Sequence, residues 1–515
     1  MTWLVAGPIV VPLSAAVVTG FLMGYGGIQR LVSLCSGIAL FGTAVALLTN
    51  VWNEGVTAAQ IGNWPSPFGI TLVADHLSAV LVLITAIIAL AAIVYSFEDI
   101  ERRGLATVLH PLLHALMAGV CGAFLAGDIF NLYVWFEVML IASIGLLVVG
   151  GTRAQLDASV RYAALSLIAT TLLLTGIGLL YGLTGTLNMA DLHLRVQEVE
   201  NEGLLTVIAV IFIVAFGIKS AVFPLFFWLP ASYHTPKVTV SAVFSGLLTK
   251  VGVYALMRVF TLIFTNDIGY THEILLWVAG FTMVTGVLGA ASRNDLRRIL
   301  SFHIVSQIGY MIMGLALYTP LGLLGGIFYT VHHIIVKANL FFVAGAIRRF
   351  GGSSRLARLG GLYRDAPLLA ALFFIPAFSL AGFPPLSGFW AKFLLIRASM
   401  DVHEYAIAAT ALAVGLLTAY SMTKIWLNAF WKGRPEDAMP TRPPSRSEGF
   451  FLLAPVVGLA AITLAIGLYV QPFYELAERA AQELMHPAEY VGAVLGEDAV
   501  SGAGPSPAGP GGSGN

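Results

Sequence analysis

Two stretches decide the fold: IFIVAFGIKSAVFPLFFWLP (211–230) and FIPAFSLAGFPPLSGFWAKFLLI (374–396). Each is apolar enough to sit in a bilayer, each is broken by proline, and each carries one lysine. Lys219 stands five residues before Pro224, and Lys392 seven residues after Pro385. A lysine near the middle of an apolar span costs roughly 2.5–3.5 kcal/mol on insertion scales. Proline removes an N–H and frees a carbonyl, which membrane depth tolerates only where protein or a water-filled cavity satisfies the freed group. Two interrupted helices in corresponding halves of a membrane protein point to an ion or substrate pathway. The competing explanation is a proline kink with a snorkelling lysine. It asks each ammonium to reach water from too far inside its span.

The rest of the chain agrees with a bilayer as solvent. Of 515 residues, 58% are hydrophobic and 10% charged, against about 25% charged in a soluble domain. The mean hydropathy is +0.86. These values describe a polytopic, all-α integral membrane protein. The formal net charge of zero gives no basic surface for nucleic acid. Cys35 and Cys121 both lie inside apolar spans, so neither a disulfide framework nor a metal site is indicated. No phosphate-binding glycine loop, cysteine cluster or HExxH is present, so nucleotide, iron–sulfur and zinc chemistry have no motif behind them and no cofactor is expected. The N-terminal stretch MTWLVAGPIVVPLSAAVVTGFLM has no basic region before its apolar run. It reads as the first membrane helix rather than a cleaved signal.

A membrane helix needs about 20 apolar residues. Fourteen stretches qualify: 3–23, 31–49, 72–96, 108–126, 129–149, 157–183, 203–229, 237–264, 272–291, 297–317, 320–346, 367–398, 403–430 and 449–471. The seventh and twelfth are the broken ones. Basic residues crowd alternate connections, from Arg30 through Arg102, Arg103, Arg153, Lys237, Arg293, Arg297 and Arg298 to Arg348, Arg349, Arg355, Arg358, Arg364, Lys432, Arg434, Arg442 and Arg446. The opposite connections hold almost none, with Arg195 the main exception. By the positive-inside rule the basic loops face the cytoplasm and both termini face outward. Residues 187–200 read as a short amphipathic helix on the outer surface, and 471–499 as another. Residues 436–446 read as a polar, Pro-rich linker, and the tail SGAGPSPAGPGGSGN as low-complexity and disordered.

Spans four to eight and nine to thirteen each form a five-helix group whose fourth member is broken. GLLTK (246–250) in the eighth span is echoed by GLLT (415–418) in the thirteenth. Five is odd, so consecutive groups of this size are inverted in the membrane, a transporter architecture. The expected division is an N-terminal three-helix segment (1–107), a first repeat (108–264), a second repeat (272–430), a linker with the last span (431–471), and a tail (472–515).

Ionisable residues inside the spans are the candidate functional groups. The first group holds Glu137, Lys219 and Lys250; the second holds His303, His332, His333, Lys337, Lys392 and Lys424. Glu137 has no charge nearer in sequence than Asp128, and Lys219 on a neighbouring span is its obvious partner, in a pair that could open and close. His333 and Lys337 stand at i,i+4 and share a face, while His332 points about 100° away. His303, Ser306, Gln307 and Tyr310 lie on one stripe of the tenth span. Histidines and hydroxyls between lysines are what a proton relay requires. A core histidine bonded to a carbonyl is the plain alternative for each imidazole. Lys424, near its span end, reads as an interfacial anchor and only secondarily as a path residue. Arg258 reads as a charge at the outer mouth, since arginine does not give up its proton. Asp75, His76 and Asp128 read as structural or entrance groups.

Four stretches carry a family resemblance: GAFLAGDIFNLYVWFEVMLIAS, KSAVFPLFFWLPASYHTPKVTVSAVFSGLLTKVGVYAL, SFHIVSQIGYMIMGL and SLAGFPPLSGFWAKFLL. They resemble the antiporter-like subunits shared by respiratory complex I and the Mrp multisubunit Na+/H+ antiporters, over roughly residues 65–430, and their wording is similar to the Mrp D subunits. The resemblance implies a proton path through the fifth-helix Glu137, the broken-helix Lys219, Lys250, the relay His332, His333 and Lys337, and the terminal Lys392. It implies other Mrp subunits as partners, H+ and Na+ as transported ions, and a bacterial plasma membrane location. Lys392 argues against the complex I paralogue that has glutamate there. A proton-pumping subunit of an NADH–quinone oxidoreductase, a membrane hydrogenase subunit, and a self-sufficient solute transporter remain the alternatives.

Overall fold

The computed structural model describes residues 2–100, 107–435 and 446–497. Arg102, Arg103 and Arg442, nearly all of the expected linker at 436–446, and the low-complexity tail lie outside the described residues.

The chain begins with helices α1 (Thr2–Phe21) and α2 (Gly26–Glu54), followed by a two-stranded antiparallel hairpin, Thr57–Gln60 with Thr71–Ala74. The hairpin moves the start of the third span, expected at residue 72, to His76, within a fold that is mostly helical as expected. Thr71, Leu72 and Val73 suit an extended strand, here buried along its whole length. Asp75 then ends it in an extended conformation and caps α3 (His76–Asp99): its carboxylate accepts from the Ser78 amide at 2.8 Å while Ser78 Oγ accepts from the Asp75 amide at 2.9 Å. This reciprocal box fixes where the helix starts.

Next come α4 (Leu109–Leu125), α5 (Ile129–Leu147), α6 (Arg153–Thr184), the short α7 (Met189–Arg195) and α8 (Glu202–Ser220). α9 (Trp228–Ser232) follows the first break. α10 (Val238–Val243) runs through one π-helical turn, Phe244–Leu248, into α11 (Thr249–Leu262). Then follow α12 (Ile268–Ala291), α13 (Leu296–Ala316), α14 (Pro320–Gly351), α15 (Leu362–Asp365), α16 (Pro367–Ala381), α17 (Ser387–Asp401) and α18 (Tyr405–Trp426). α19 (Arg446–Leu468), α20 (Val470–Met485) and α21 (Ala488–Leu495) complete the chain. Among the described residues, twelve helical segments are long and apolar enough to cross a membrane, and the shorter α4 and α16 are apolar too. The outer amphipathic segment expected at 471–499 is two helices, α20 and α21, not one.

Burial sorts these helices into an inner and an outer set. The α10–α11 segment and α14 are buried along the whole of their most apolar stretch, and α13 along 94% of it. α1, α2, α6 and α12 keep most of theirs on the surface, where a bilayer or a partner would cover it. α14 is the hub, in contact with α10, α13, α16, α17, α19 and α20. The inner set carries Lys250, His303, His332, His333 and Lys337. The ionisable side chains therefore occupy the middle of the bundle, where a soluble protein would place leucine.

Candidate functional site

The first break lies between α8 and α9. α8 ends at Ala221 in the left-handed region (φ 60), with Lys219 in its last turn. The groups released by the break are satisfied locally: the Trp228 indole donates to the Ile218 carbonyl at 3.0 Å, and Thr282 Oγ1 accepts from the Phe223 amide at 2.9 Å. Lys219 Nζ stands 5.4 Å from the centroid of the Phe136 ring. Glu137, the next residue, is close enough for its charge to act on Lys219. The expected ion pair is nevertheless not closed. The Phe136 face takes the ammonium, and Glu137 Oε1 is buried without a hydrogen-bond partner. Both residues are half-buried, at the rim of the bundle.

From this rim the polar groups continue inward. Gly252 lets α8 touch α11: a Cβ there would meet Ser220 Oγ at 2.5 Å. Lys250 stands two residues after the end of the π turn, and its ammonium donates to the Ser245 carbonyl inside that turn. Widened turns of this kind recur at functional sites. On α14, His333 and Lys337 share a face, as their spacing predicts, and both are fully buried. Neither ring nitrogen of His333 nor Lys337 Nζ has a hydrogen-bond partner, and the same holds for both nitrogens of His303 on α13. The groups nonetheless sense one another. Lys250 acts electrostatically on Lys337 and His333, and Lys337 and Lys392 act on His303.

The second break completes the series. α16 ends at Gly382 (φ 96) and α17 starts at Ser387. His332, turned away from His333, holds Ser387 Oγ through Nδ1 at 2.8 Å, and Ser387 Oγ meets Ser379 Oγ at 3.0 Å. Gly388 makes this closure possible, because a Cβ there would meet the Ser379 carbonyl oxygen at 1.8 Å. Lys392 Nζ donates to the Ala381 carbonyl at 3.0 Å, at the C-terminal end of α16, where the helix dipole favours a cation. It also lies 5.0 Å from the Tyr310 ring centroid. Tyr310 stacks on Tyr329 at 5.0 Å, and the Tyr329 hydroxyl donates to Gln307 Oε1. Beside Lys392 a cavity of about 680 Å3, walled by Gly382, Phe383, Phe393 and Leu416, opens toward the surface.

Two sequence candidates fall elsewhere. Lys424 donates to the Ala291 and Arg293 carbonyls at 3.1 and 2.7 Å, closing the C-terminal end of α12 away from the buried series. Arg258 is not a charge at an open mouth: it is buried and ion-paired with Asp75. Ser306 and Tyr310, expected on a relay stripe, give their hydroxyls to the Met283 and Ala411 carbonyls of neighbouring helices.

Sequence reasoning missed other groups. Ser379 and Ser387 flank the double proline, and their position beside the break was the available signal. Tyr329 stands at i+3 before His332 on α14. Asn339, with both side-chain amide atoms buried and unpartnered, gave no signal. Glu483 lies on α20. It accepts from the His76 amide at 3.0 Å and from its ring Nδ1. Burial raises its carboxyl above the usual range, against the pull of the His76 bond.

Comparison with known proteins gives a consistent relationship. The family described as NADH:quinone oxidoreductase/Mrp antiporter, TM, matches residues 126–418. The D subunit of the Na+/H+ antiporter of Alkalihalophilus pseudofirmus is 46% identical over 500 residues, spanning 96% of this chain and 100% of that one. The corresponding D subunit of Bacillus subtilis is 38% identical over 493 residues, or 95% and 99% of the two chains. Among solved structures, a chain of the Mrp complex from Dietzia sp. superimposes with a TM-score of 0.89 at 36% identity, covering 96% of this chain and 100% of that one. A chain of the membrane-bound sulfane sulfur reductase, an archaeal respiratory membrane complex, gives 0.89 at 26% identity, covering 95% and 99%. The chain belongs to the NADH:quinone oxidoreductase and Mrp antiporter membrane-subunit family and, within it, to the D subunits of the Na+/H+ antiporters.

Proposed function

We propose that this chain carries protons through a multisubunit Na+/H+ antiporter of the bacterial plasma membrane, assembled with the other Mrp subunits. The proton path runs from Glu137 and Lys219 through Lys250, His333 with Lys337, and His303 and His332, to Lys392. One observation carries this reading. His303, His333 and Lys337 are fully buried, lack hydrogen-bond partners, and sense the charge of neighbouring lysines, Lys250 among them. Burial without a partner is costly, and a fold keeps such groups when they exchange protons. The relatives named as Na+/H+ antiporter subunits support Na+ as the counter-ion.

In this reading residues 108–264 and 272–430 are two inverted five-helix groups, each broken helix opening one half-path. The basic loops and the cytoplasm share a side, and both termini lie outside. Proton motive force then drives Na+ outward.

The test is Na+-dependent collapse of a pH gradient in everted vesicles from a host without its own antiporters, expressing this chain with its partner subunits. Wild type should collapse the gradient and Glu137→Gln should not, at equal amounts in the membrane. No collapse from wild type would reject Na+/H+ antiport. Normal collapse by Glu137→Gln would remove Glu137 from the path.

A further inference from the structure

Beside the first break, on the face of the basic loops, lies a cavity of about 400 Å3. Three arginines line it: Arg161 from α6, Arg293 from the α12–α13 connection, and Arg298 from α13. Its floor is the chain that follows the break, including Phe227, Pro230 and His234. Against the three guanidinium groups it has one carboxylate, Asp157, which is 3.0 Å from Arg161. Among the described residues, neither Arg293 nor Arg298 has a carboxylate partner; Arg293 lies over the Phe302 ring at 5.3 Å. Burial, and then Arg298 close by, lowers the pKa of His234 and disfavours its charged form, while Asp295 at the start of α13 acts the other way. With three arginines in its lining against Asp157 there and Asp295 nearby, the cavity is a concave site of net positive charge.

What lies below it decides the occupant. α12 presents a surface stripe of Trp277, Phe281, Val284 and Leu288, all exposed and spaced four, three and four residues apart, so they share one face. The stripe is roughly 16 Å long at the helical rise and leads to the α12 end, two residues short of Arg293. Phe223, from the break itself, packs on Phe281 at 5.2 Å. Trp277, Phe281 and Val284 also wall a cavity of about 350 Å3 between α12 and α18, mostly apolar but with Glu273 and Glu404 in its lining. Positive charge at the membrane boundary, joined to an apolar track running toward the bilayer centre, matches an amphiphile with an anionic head. Basic pockets between helices on the cytoplasmic side recognise such headgroups.

We infer that this cavity binds the headgroup of an anionic phospholipid, whose acyl chain lies along the apolar stripe of α12. The phosphate sits among Arg161, Arg293 and Arg298 and thereby joins α6 of the first helix group to α12 and α13 of the second. It holds the seam between the groups next to the segment that ends at Lys219. The lipid then acts as a staple on the broken helix, and transport depends on it. The dependence of transport on the lipid rests on the function proposed above; the binding site itself does not.

The experiment uses the purified complex. Tightly held phospholipid is counted by phosphorus analysis after detergent washing, in wild type, in Arg293→Gln/Arg298→Gln, and in the control Arg397→Gln, an exposed arginine on α17 paired with Asp401. Each complex is then placed in vesicles of pure phosphatidylcholine, or with part of it replaced by phosphatidylglycerol, and Na+-dependent proton movement is followed. A third arm adds inorganic phosphate to the phosphatidylcholine vesicles. Wild type and the control should retain one phospholipid per chain that the double variant loses, since each arginine removed weakens binding by about fivefold. Their transport should rise with phosphatidylglycerol, while that of the double variant should not. Equal phospholipid retention by all three complexes overturns the site. Stimulation by inorganic phosphate alone overturns the lipid assignment, and loss of a co-purifying subunit from the double variant assigns the cavity to a protein contact instead. Wild type that retains the lipid but moves no protons in any vesicle rejects the antiporter reading and leaves the site standing.

Discussion

The molecule buries charge in two ways. At the start of α3 the charges are closed on one another: Arg258 and Asp75 form an ion pair with side chains 3% and 2% exposed, and His76 and Glu483 meet with 6% and 10%. Arg258 is flanked further by the Tyr254 and Tyr490 rings at 5.5 and 5.0 Å. Along the inner helices Lys250, His333, Lys337 and His303 are buried at least as deeply, yet the only protein partner among them is the carbonyl that Lys250 reaches. Depth is therefore not what separates function from structure here; a partner of opposite charge is. Arg258 and His76 have one, and the inner lysines and histidines do not: their partners, where they have any, are neutral. The closed cluster fastens the C-terminal helix α20 and the hairpin end of α3 to the bundle, and Arg258 keeps its proton throughout. The open series holds groups whose protons can leave and return.

That contrast breaks most sharply at Lys250. Lys250→Ala removes one station from the open series and leaves no charge stranded. Antiport in everted vesicles should be lost, with the complex assembled at wild-type level. An assembled Lys250→Ala complex with normal transport would move Lys250 into the structural class. The closed cluster should respond the other way. Asp75→Ala leaves the Arg258 guanidinium buried and alone, at a cost of about 3–5 kcal/mol, so the amount of folded complex and its thermal midpoint should fall. The double change Asp75→Ala/Arg258→Met should recover most of the loss. A fully stable Asp75→Ala complex without antiport would instead place Asp75 on the proton path.

Ser387 sharpens the comparison at smaller scale. Its hydroxyl is the one fixed partner of His332 and links it to Ser379. Ser387→Ala frees the imidazole without stranding a charge, and a hydrogen bond of this kind contributes about 1 kcal/mol. Antiport should slow by roughly fivefold with little change in thermal midpoint. An unchanged rate would mean that the orientation of His332 does not matter to transport.

Much of this arrangement is legible in the sequence, for a physical reason. A bilayer punishes both charge and broken backbone, so Lys219, Lys250, Lys337 and Lys392 stand out against apolar runs in a way that no lysine of a soluble protein does. The i,i+4 spacing of His333 and Lys337 is likewise a property of one helix. What stays hidden depends on tertiary contact. Nothing local says that Phe136 rather than Glu137 meets the Lys219 ammonium, or that Glu483, far along the chain, closes on His76. Serine is common at helix ends, so Ser379 and Ser387 attract no notice until the break brings them together. Arg258 looks like a charge at an open mouth because its partner, Asp75, lies far away in sequence, at the start of another helix. The hairpin merges into the third span because Leu72–Ala74 are as apolar as a helix.

Lys424 gives the smallest effect and tests whether a carbonyl partner alone marks a structural lysine, since Lys250 and Lys392 donate to carbonyls too. It is a lysine in an apolar helix, as Lys392 is, but sequence offers Lys392 as a path residue and Lys424 first as an interfacial anchor and only secondarily as a path residue. In the fold its ammonium closes on the Ala291 and Arg293 carbonyls, at the exposed end of α12. Those carbonyls can turn to water when the lysine is removed, since a helix terminus at the surface finds other donors. Lys424→Gln should therefore cost no more than about 0.5 kcal/mol, as exposed substitutions usually do, and leave antiport within twofold of wild type. Lys392→Gln, in the same assay, should abolish it. A Lys424→Gln complex that assembles normally but transports as poorly as Lys392→Gln would show that a carbonyl-capped lysine at a surface helix end relays protons as the buried, carbonyl-capped Lys392 does. Position in the buried series would then no longer separate the two lysines.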